Sequence, residues 1–371
     1  MAVRDAQAAG NPVAMSLDPA TAAVYQANAR EWTKARVGKD VSAAARLMAR
    51  DPGEGPILDI GCGPGYFLAE LPQGSIGLDP TVGFLELLGD RVPGALGVRG
   101  EAGALPIRSA SIGGVLANAV YQHLHRHDLP MAFADLHRVL QLDAPAEIII
   151  FSGDSDMVYT DATDSFPGRG YSFWPADRFR DVLVGAGFLI ETFEDRDADQ
   201  WPPLLAGVRR SRTLPDIVGP DMKLLVCGLN PSVYSADVAV GFGRPGNRFW
   251  PAALAAGLVT LDRDPRHALV NHGVGMTDLV KRATPRADDL SRDEYADGVA
   301  RLDRLCEWLE PEVICMVGLA GWRAAVNRKA AAGWQEETLG GRPVYVMPST
   351  SGLNAHSSLD DLTEHLRVAT N

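Results

Sequence analysis

Hydrophobic residues along this chain gather in short runs separated by longer amphipathic stretches, and the pattern occurs twice. In the first half the runs fall at 57–60, 75–78, 113–117, 147–151 and 189–193. Each has the length and flanking turn residues of a buried strand. Residues 128–139 and 175–186 instead repeat apolar positions every three or four, which predicts helices, and 21–50 carries the same period ahead of the first run. The second half repeats the theme, with strands at 223–227, 313–317 and 344–347 and helices at 247–256, 291–309, 319–329 and 358–369. Such alternation predicts a mostly parallel sheet with helices on both faces. The expected fold class is α/β, in two separate three-layer α/β/α domains. Between the halves the acidic stretch 195–200, the run Trp201-Pro202-Pro203 and the arginines of 209–212 break the pattern, and Pro215 and Pro220 restart the chain. The expected division is a first domain at 1–200, a linker at 201–214 and a second domain at 215–371. Residues 1–20 read as a loose arm.

Composition narrows the functional classes. At 371 residues the chain is long enough for two cores. No run of eighteen or more apolar residues occurs, so no membrane partner is expected. Residues 1–17 lack the apolar centre of a secretory signal, which leaves the cytoplasm as the expected location. Cys62, Cys227, Cys306 and Cys315 form no CxxC pair, so thiols are expected and no zinc or iron–sulfur site. The net charge of −12 is uneven: residues 206–371 hold 19 Lys and Arg against 20 Asp and Glu, so nearly all the excess lies before them. An acidic half repels a phosphate backbone, which makes the second half the nucleic-acid binder of the two.

In the first half, Leu58-Asp59-Ile60-Gly61-Cys62-Gly63-Pro64-Gly65 is a strand ending in a glycine-rich turn, with a helix expected next. Glycines let the backbone approach a ligand closely, and a following helix would aim N–H groups at it. Asp79 ends the next strand, where a carboxylate can take two ribose hydroxyls. A bare GxGxxG would suggest a dinucleotide; this string with Asp79 resembles the class I S-adenosylmethionine (SAM)-dependent methyltransferases, over roughly 40–195. That resemblance implies SAM as cofactor, held by Asp59, Gly61, Cys62, Gly63, Gly65 and Asp79, with Glu101 and Ala102 near the adenine and Asn118 after the fourth strand. Asp143-Ala144-Pro145 stands where the family has a glycine pair, and Gly113 where it often has an acid. The methyl acceptor is not legible. His123, His125 and His127 could include a general base or be solvated loop residues.

In the second half, Gly228-Leu229-Asn230-Pro231-Ser232 follows a strand, and Ser351-Gly352-Leu353-Asn354 lies near the C-terminus. With Arg244-Pro245-Gly246-Asn247-Arg248-Phe249-Trp250 and Gly273-Val274-Gly275-Met276-Thr277, they resemble the mismatch-specific uracil/thymine DNA glycosylase family, over about 215–370. Cleaving an N-glycosidic bond in duplex DNA requires a flipped base, a filled vacancy and an aimed water. The resemblance implies that Asn230 positions the water, within a base pocket of Gly228, Leu229, Pro231, Ser232 and Phe242, whose ring stacks on the base. Ser232 replaces a glycine that many members carry, and its bulk is expected to narrow the pocket. Ser351, Gly352 and Leu353 read as a wedge, with Gly352 and Asn354 facing the orphaned guanine. Arg244, Asn247 and Arg248 are placed for DNA phosphates, and Lys281, Arg282 and Arg286 form a second basic group. The expected partner is double-stranded DNA with G/U or G/T mispairs, and no cofactor is expected for this half.

The chain therefore reads as a monofunctional DNA glycosylase fused to a methyltransferase of unknown acceptor. Two other readings stand beside it: a methyltransferase whose second half only binds nucleic acid, and a glycosylase carrying a SAM-binding regulatory domain.

Overall fold

The computed structural model describes residues 17–198 and 201–370. The first sixteen residues, most of the expected arm, lie outside them. Two compact units are present: one holds the described residues up to Leu183 with Phe188–Ser211, the other Val184–Gly187 with the chain from Arg212 onward.

The first unit opens with two helices, α1 (Pro19–Ala35) and α2 (Ser42–Met48), where a single period ran through 21–50. Asp18 caps α1 by accepting from Thr21 N at 2.8 Å. The chain then alternates through β1 (Ile57–Ile60), β2 (Ile76–Asp79), α3 (Val82–Arg91), β3 (Leu96–Arg99), β4 (Gly114–Asn118), α4 (Leu129–Val139) and β5 (Pro145–Phe151). A small ribbon of β6 (Val158–Tyr159) and β7 (Gly170–Tyr171) follows, then α5 (Ala176–Gly185), β8 (Phe188–Asp195) and β9 (Pro203–Arg210). The seven-stranded sheet has the order β3-β2-β1-β4-β5-β9-β8. Strands β1 to β5 pair in parallel, and β9 runs antiparallel between β5 and β8.

Two expectations fail here. The linker expected at 201–214 contains β9, an interior strand in register with β5 from Phe151↔Pro203 to Pro145↔Arg209. Its buried residues run unbroken from Leu204 to Val208, as suits an interior strand; the flanking prolines and arginines disguised it. Arg209 is spent on Glu191, at 2.6 Å. Nor does an α-helix follow the glycine-rich turn. The segment after it makes turns and one 3-10 turn at Leu68–Glu70 before Pro72. Gly65 sits at φ +86°, and a Cβ there would come 2.4 Å from Leu88 Cδ1, so this glycine serves helix packing.

The second unit runs β10 (Leu224–Gly228), α6 (Val233–Val238), α7 (Phe249–Ala255), α8 (Pro265–His272), β11 (Val274–Asp278), α9 (Arg292–Leu309), β12 (Val313–Val317), α10 (Leu319–Ala325), β13 (Gly333–Trp334), β14 (Val344–Met347) and α11 (Leu359–Thr370). Its sheet order is β11-β10-β12-β14-β13, parallel except for the edge strand β13. Alternate residues of the buried strands build two cores. Leu225, Cys227, Ile314, Met316, Val344 and Val346 pack with Leu302, Leu305 and Leu309 of α9 and Trp322 of α10. Leu224, Val226, Cys315, Val317, Tyr345 and Met347 pack with Phe249 and Trp250 of α7, Ala268 of α8 and Leu362 and Leu366 of α11. That period-two division makes a three-layer unit. Within each unit the parallel strands place their carboxyl ends along one edge of that unit's own sheet, where α/β proteins bind ligands.

Candidate active sites

In the first unit a cavity of about 930 Å³, counting its open mouth, lies over the ends of β1, β2 and β4. Gly61, Gly63, Asp79, Glu101, Ala102 and Asn118 all line it. Asp59, Cys62 and Gly65 do not. The Cys62 thiol turns into the core, where burial pushes its pKa up, and Asp59 is a buried carboxyl pushed up to about 8 by desolvation. Asp79 accepts from Gly63 N at 2.9 Å and Thr81 N at 2.8 Å, which ties the two strand ends together. Burial pushes it up to about 6 despite those bonds, leaving it mostly ionised at neutral pH.

The cavity also contains residues that motif reading passed over. Helix α1 covers it with Tyr25 and Trp32, and Arg36 and Lys39 follow. The helix is held by Leu17 N on Glu101 (3.1 Å), Gly170 N on Thr21 Oγ1 (2.7 Å) and Tyr25 Oη on His123 Nε2 (3.0 Å). His123 is 5% exposed, and Nδ1 donates to Gly170 O at 2.8 Å. Burial lowers its pKa to about 4, so the ring is neutral at pH 7. His125, by contrast, is an exposed loop residue 3.7 Å from Asp156. A helix from outside the sheet carries no glycine motif, so only its amphipathic period announced it.

In the second unit, β10 delivers Gly228 and Asn230 to the strand ends. Both hydrogens of the Asn230 amide are spoken for: Nδ2 donates to Arg282 O at 3.0 Å and Thr284 Oγ1 at 2.8 Å. Its carbonyl oxygen is thereby fixed in direction and left to accept. Thr284 is buried and receives the loop again through its own N–H on Pro231 O, 3.2 Å. Ser232 Oγ caps α6, accepting from Ser235 N at 3.1 Å, so its hydroxyl is committed to the helix.

Phe242 is half-buried at φ +55°, a left-handed conformation that costs an aromatic residue about 1 kcal/mol or more. One ring face stacks on Phe249 at 4.4 Å, and the ring edge comes 3.5 Å from the space a Cβ on Gly228 would fill. The same space lies 2.5 Å from Asp278 Oδ1. Gly228 and Asp278 are register partners in β10 and β11, so the carboxyl, Phe242 and the bare Gly228 backbone surround one point beside Asn230. Asp278 is buried, makes no side-chain hydrogen bond among the described residues, and is pushed up to about 6 by desolvation, with Lys281 opposing. Sequence reading missed it because its strand was taken only as a motif. Beneath it Asp216 binds Lys281 and Arg301, each at 2.7 Å, and Thr277 Oγ1 at 2.6 Å.

The DNA-facing assignments divide. Leu353 is 87% exposed on a loop tip, as a wedge requires. Arg244 is exposed and unpaired among the described residues. Arg248 is not a surface cation. Its guanidinium donates to Ser351 O (3.1 Å), Asn354 O (2.7 Å) and Ser357 O, so it braces the Leu353 loop. Asn247 accepts from Phe249 N at 2.9 Å at the start of α7. Asn354 is likewise internal, with Nδ2 on Ser349 O at 2.8 Å and Oδ1 receiving His356 N at 3.1 Å. Gly352 is needed for close approach, since a Cβ there would meet Gly246 O at 2.8 Å. Of the second basic group, Lys281 is half-buried and bound to Asp216, Arg282 is paired with Glu294 at 2.6 Å, and Arg286 stays exposed.

Family comparison assigns both units. Residues 215–370 match the model of the uracil DNA glycosylase superfamily, and 58–144 match that of a methyltransferase domain. The chain thus carries a methyltransferase domain followed by a uracil DNA glycosylase superfamily domain, and both are α/β folds. Similar solved structures include a SAM-dependent methyltransferase from Methanosarcina mazei (16% identity, 44% of this chain and 97% of that one, TM-score 0.39). Another is the 1,6-didemethyltoxoflavin-N1-methyltransferase of Burkholderia thailandensis (21%, 57% and 94%, 0.41). A third is a TehB-like SAM-dependent methyltransferase of Corynebacterium glutamicum (23%, 52% and 100%, 0.39).

Proposed function

We propose that the second domain hydrolyses the N-glycosidic bond of uracil, and of thymine or damaged pyrimidines, opposite guanine in duplex DNA. The observation that carries this reading is the clamped Asn230 amide, whose oxygen is left to accept just past Gly228, the strand end where Phe242 and Asp278 meet. A flipped base stacks on the free face of Phe242, Leu353 fills the vacancy, and Asn230 Oδ1 holds a water against the sugar carbon. Asn cannot take the proton that the water loses; Asp278 does, from the adjacent strand end. The water oxygen bonds to the sugar carbon as the base leaves with the bonding pair. Lys281 stands beside Asp278 but is engaged by Asp216 at 2.7 Å, so it offers no free amine for a lyase step.

Uracil release from labelled G·U, G·T, A·U and single-stranded substrates tests this, with G·U expected to be cleaved fastest. Absence of release from every substrate, with duplex binding retained, would make the domain a recognition module. Leu353→Ala is expected to slow release from duplex about tenfold and to spare single-stranded uracil, because only the duplex requires unstacking. Equal loss on both substrates would remove the wedge role.

For the first domain we infer binding of SAM and methyl transfer to a small acceptor. The cavity's donor set fits the cofactor. Asp79 is a buried carboxylate for two ribose hydroxyls, a Cβ on Gly63 would lie 3.7 Å from the Trp32 ring, and the buried Trp32 Nε1 has no partner among the described residues. Glu101 and Ala102 border the adenine end, and Asn118 the methyl end. SAM when bound supplies the methyl group as an electrophile. Asp79→Ala is expected to weaken S-adenosylhomocysteine at least tenfold by calorimetry, as loss of charge-assisted bonds requires. An unchanged affinity would move the cofactor elsewhere. Repeating uracil release with SAM present tests whether the domains communicate.

A further inference from the structure

The end of the cavity beyond Asn118 has a lining that the cofactor reading leaves unused. Gln122 sits in the 3-10 turn after β4, is 1% exposed, and lines the cavity. Its Oε1 is buried without a hydrogen-bond partner among the described residues. An orphaned buried acceptor costs free energy that a ligand donor can recover, so this atom marks a ligand contact. Beside it stand Phe151 and Tyr171, ring centroids 6.1 Å apart, with Trp201 behind them at 5.3 and 4.7 Å. The His123 ring lies 4.7 Å from Tyr171.

The polar groups here are already directed. Tyr25 Oη donates to His123 Nε2 and accepts from Arg169 Nη1 at 3.2 Å, leaving one lone pair open. Arg169 is buried and neutralised: Nη2 binds Asp164 at 2.6 Å and Nε binds Phe166 O at 3.0 Å. The lining thus offers two acceptors, Gln122 Oε1 and Tyr25 Oη, between flat apolar walls, and its buried cation is spent. Arg36 lines the same cavity and acts on Tyr25 and Tyr171, so charge does not select the ligand here; the two acceptors do, and a planar donor satisfies them.

We infer that this end of the cavity is the methyl-acceptor subsite, and that it takes a small planar ring compound bearing an O–H or N–H donor. Gln122 and Tyr25 receive the donor, and Phe151 and Tyr171 flank the ring. This rests on the cofactor reading for its role and on the lining alone for its ligand class.

Ligand-observed NMR on the full chain, saturated with S-adenosylhomocysteine, tests it with two matched pairs: phenol against anisole, and indole against N-methylindole. The donor-bearing member of each pair is expected to bind at least tenfold more tightly, about one buried hydrogen bond. Gln122→Leu is expected to erase that preference, and Phe151→Ala to weaken all four compounds while keeping it. Thermal melts establish that each variant is folded. Failure of phenol and indole to bind, equal binding within both pairs, or a preference that survives in folded Gln122→Leu overturns the assignment. Should Gln122→Leu not fold, Tyr25→Phe takes its place, with the same loss of preference expected and the same overturning result. Calorimetry with S-adenosylhomocysteine alone reports separately on the cofactor reading.

Discussion

Asn230→Ala is expected to slow uracil release from a G·U duplex by about a hundred- to a thousandfold under single-turnover conditions, the usual cost of removing one positioned polar group. Duplex affinity is expected to stay within about twofold, since the proposed mechanism sets Asn230 at the reacting bond and leaves contact with the duplex to Leu353 and its loop. The fold pays little: Arg282 O and Thr284 Oγ1 lose a donor, and Thr284 keeps its contact with Arg286 O at 2.7 Å. Asn230→Asp separates orientation from polarity. A carboxylate there cannot donate to Arg282 O, so it is repelled from the clamp and restores little of the rate. Thr284→Val removes one clamp and is expected to cost about tenfold, between wild type and Asn230→Ala. A rate for Asn230→Ala within threefold of wild type would eliminate this residue as the water holder.

Most of the architecture was legible because buried parallel strands are short, continuous and apolar, and β1, β12 and β14 fall where the runs fell. What escaped was of two kinds. Strand β9 is an interior strand enclosed by proline and arginine, and its insertion between β8, its neighbour in sequence, and the more distant β5 is not written in its own residues. The glycine-rich turn was legible as a turn, yet the α-helix expected after it is replaced by turns ahead of Pro72. Among site residues the glycine-rich motif divided: Gly61 and Gly63 line one cavity with Asp79, whereas Asp59, Cys62 and Gly65 do not, and Phe242 comes to Gly228 at the other domain's strand edge. Residues assigned to DNA contact as basic groups fared worse. Arg248 and Lys281 look like surface cations in sequence, and folding spends them on carbonyls and on Asp216. A charge in sequence carries no record of its partner, whereas a glycine at a strand end already constrains the backbone.

Asp278→Asn is expected to produce a protein that is more stable at alkaline pH and much slower. The carboxyl is pushed up to about 6 by burial, above an ordinary unfolded value near 3.9. Between about pH 4 and 6 the folded chain therefore holds a proton that the unfolded chain has released, and stability falls as pH rises through that window. The penalty is complete by pH 8 and is on the order of 2–3 kcal/mol, since Lys281 and Arg301 offset part of it and Asp216 adds to it. Asparagine has no such ionisation, so the variant's melting temperature should exceed wild type at pH 8 and match it below pH 4. Catalysis moves oppositely. If ionised Asp278 takes the water's proton, wild-type release rises through pH 6 and levels above it. The variant then runs flat and about a hundredfold lower at pH 8, within the usual range for a lost general base. A wild-type rate that does not change from pH 5 to 8 would dismiss the proton transfer. A variant that is both slower and less stable at pH 8 would make Asp278 a packing group of the β10–β11 edge.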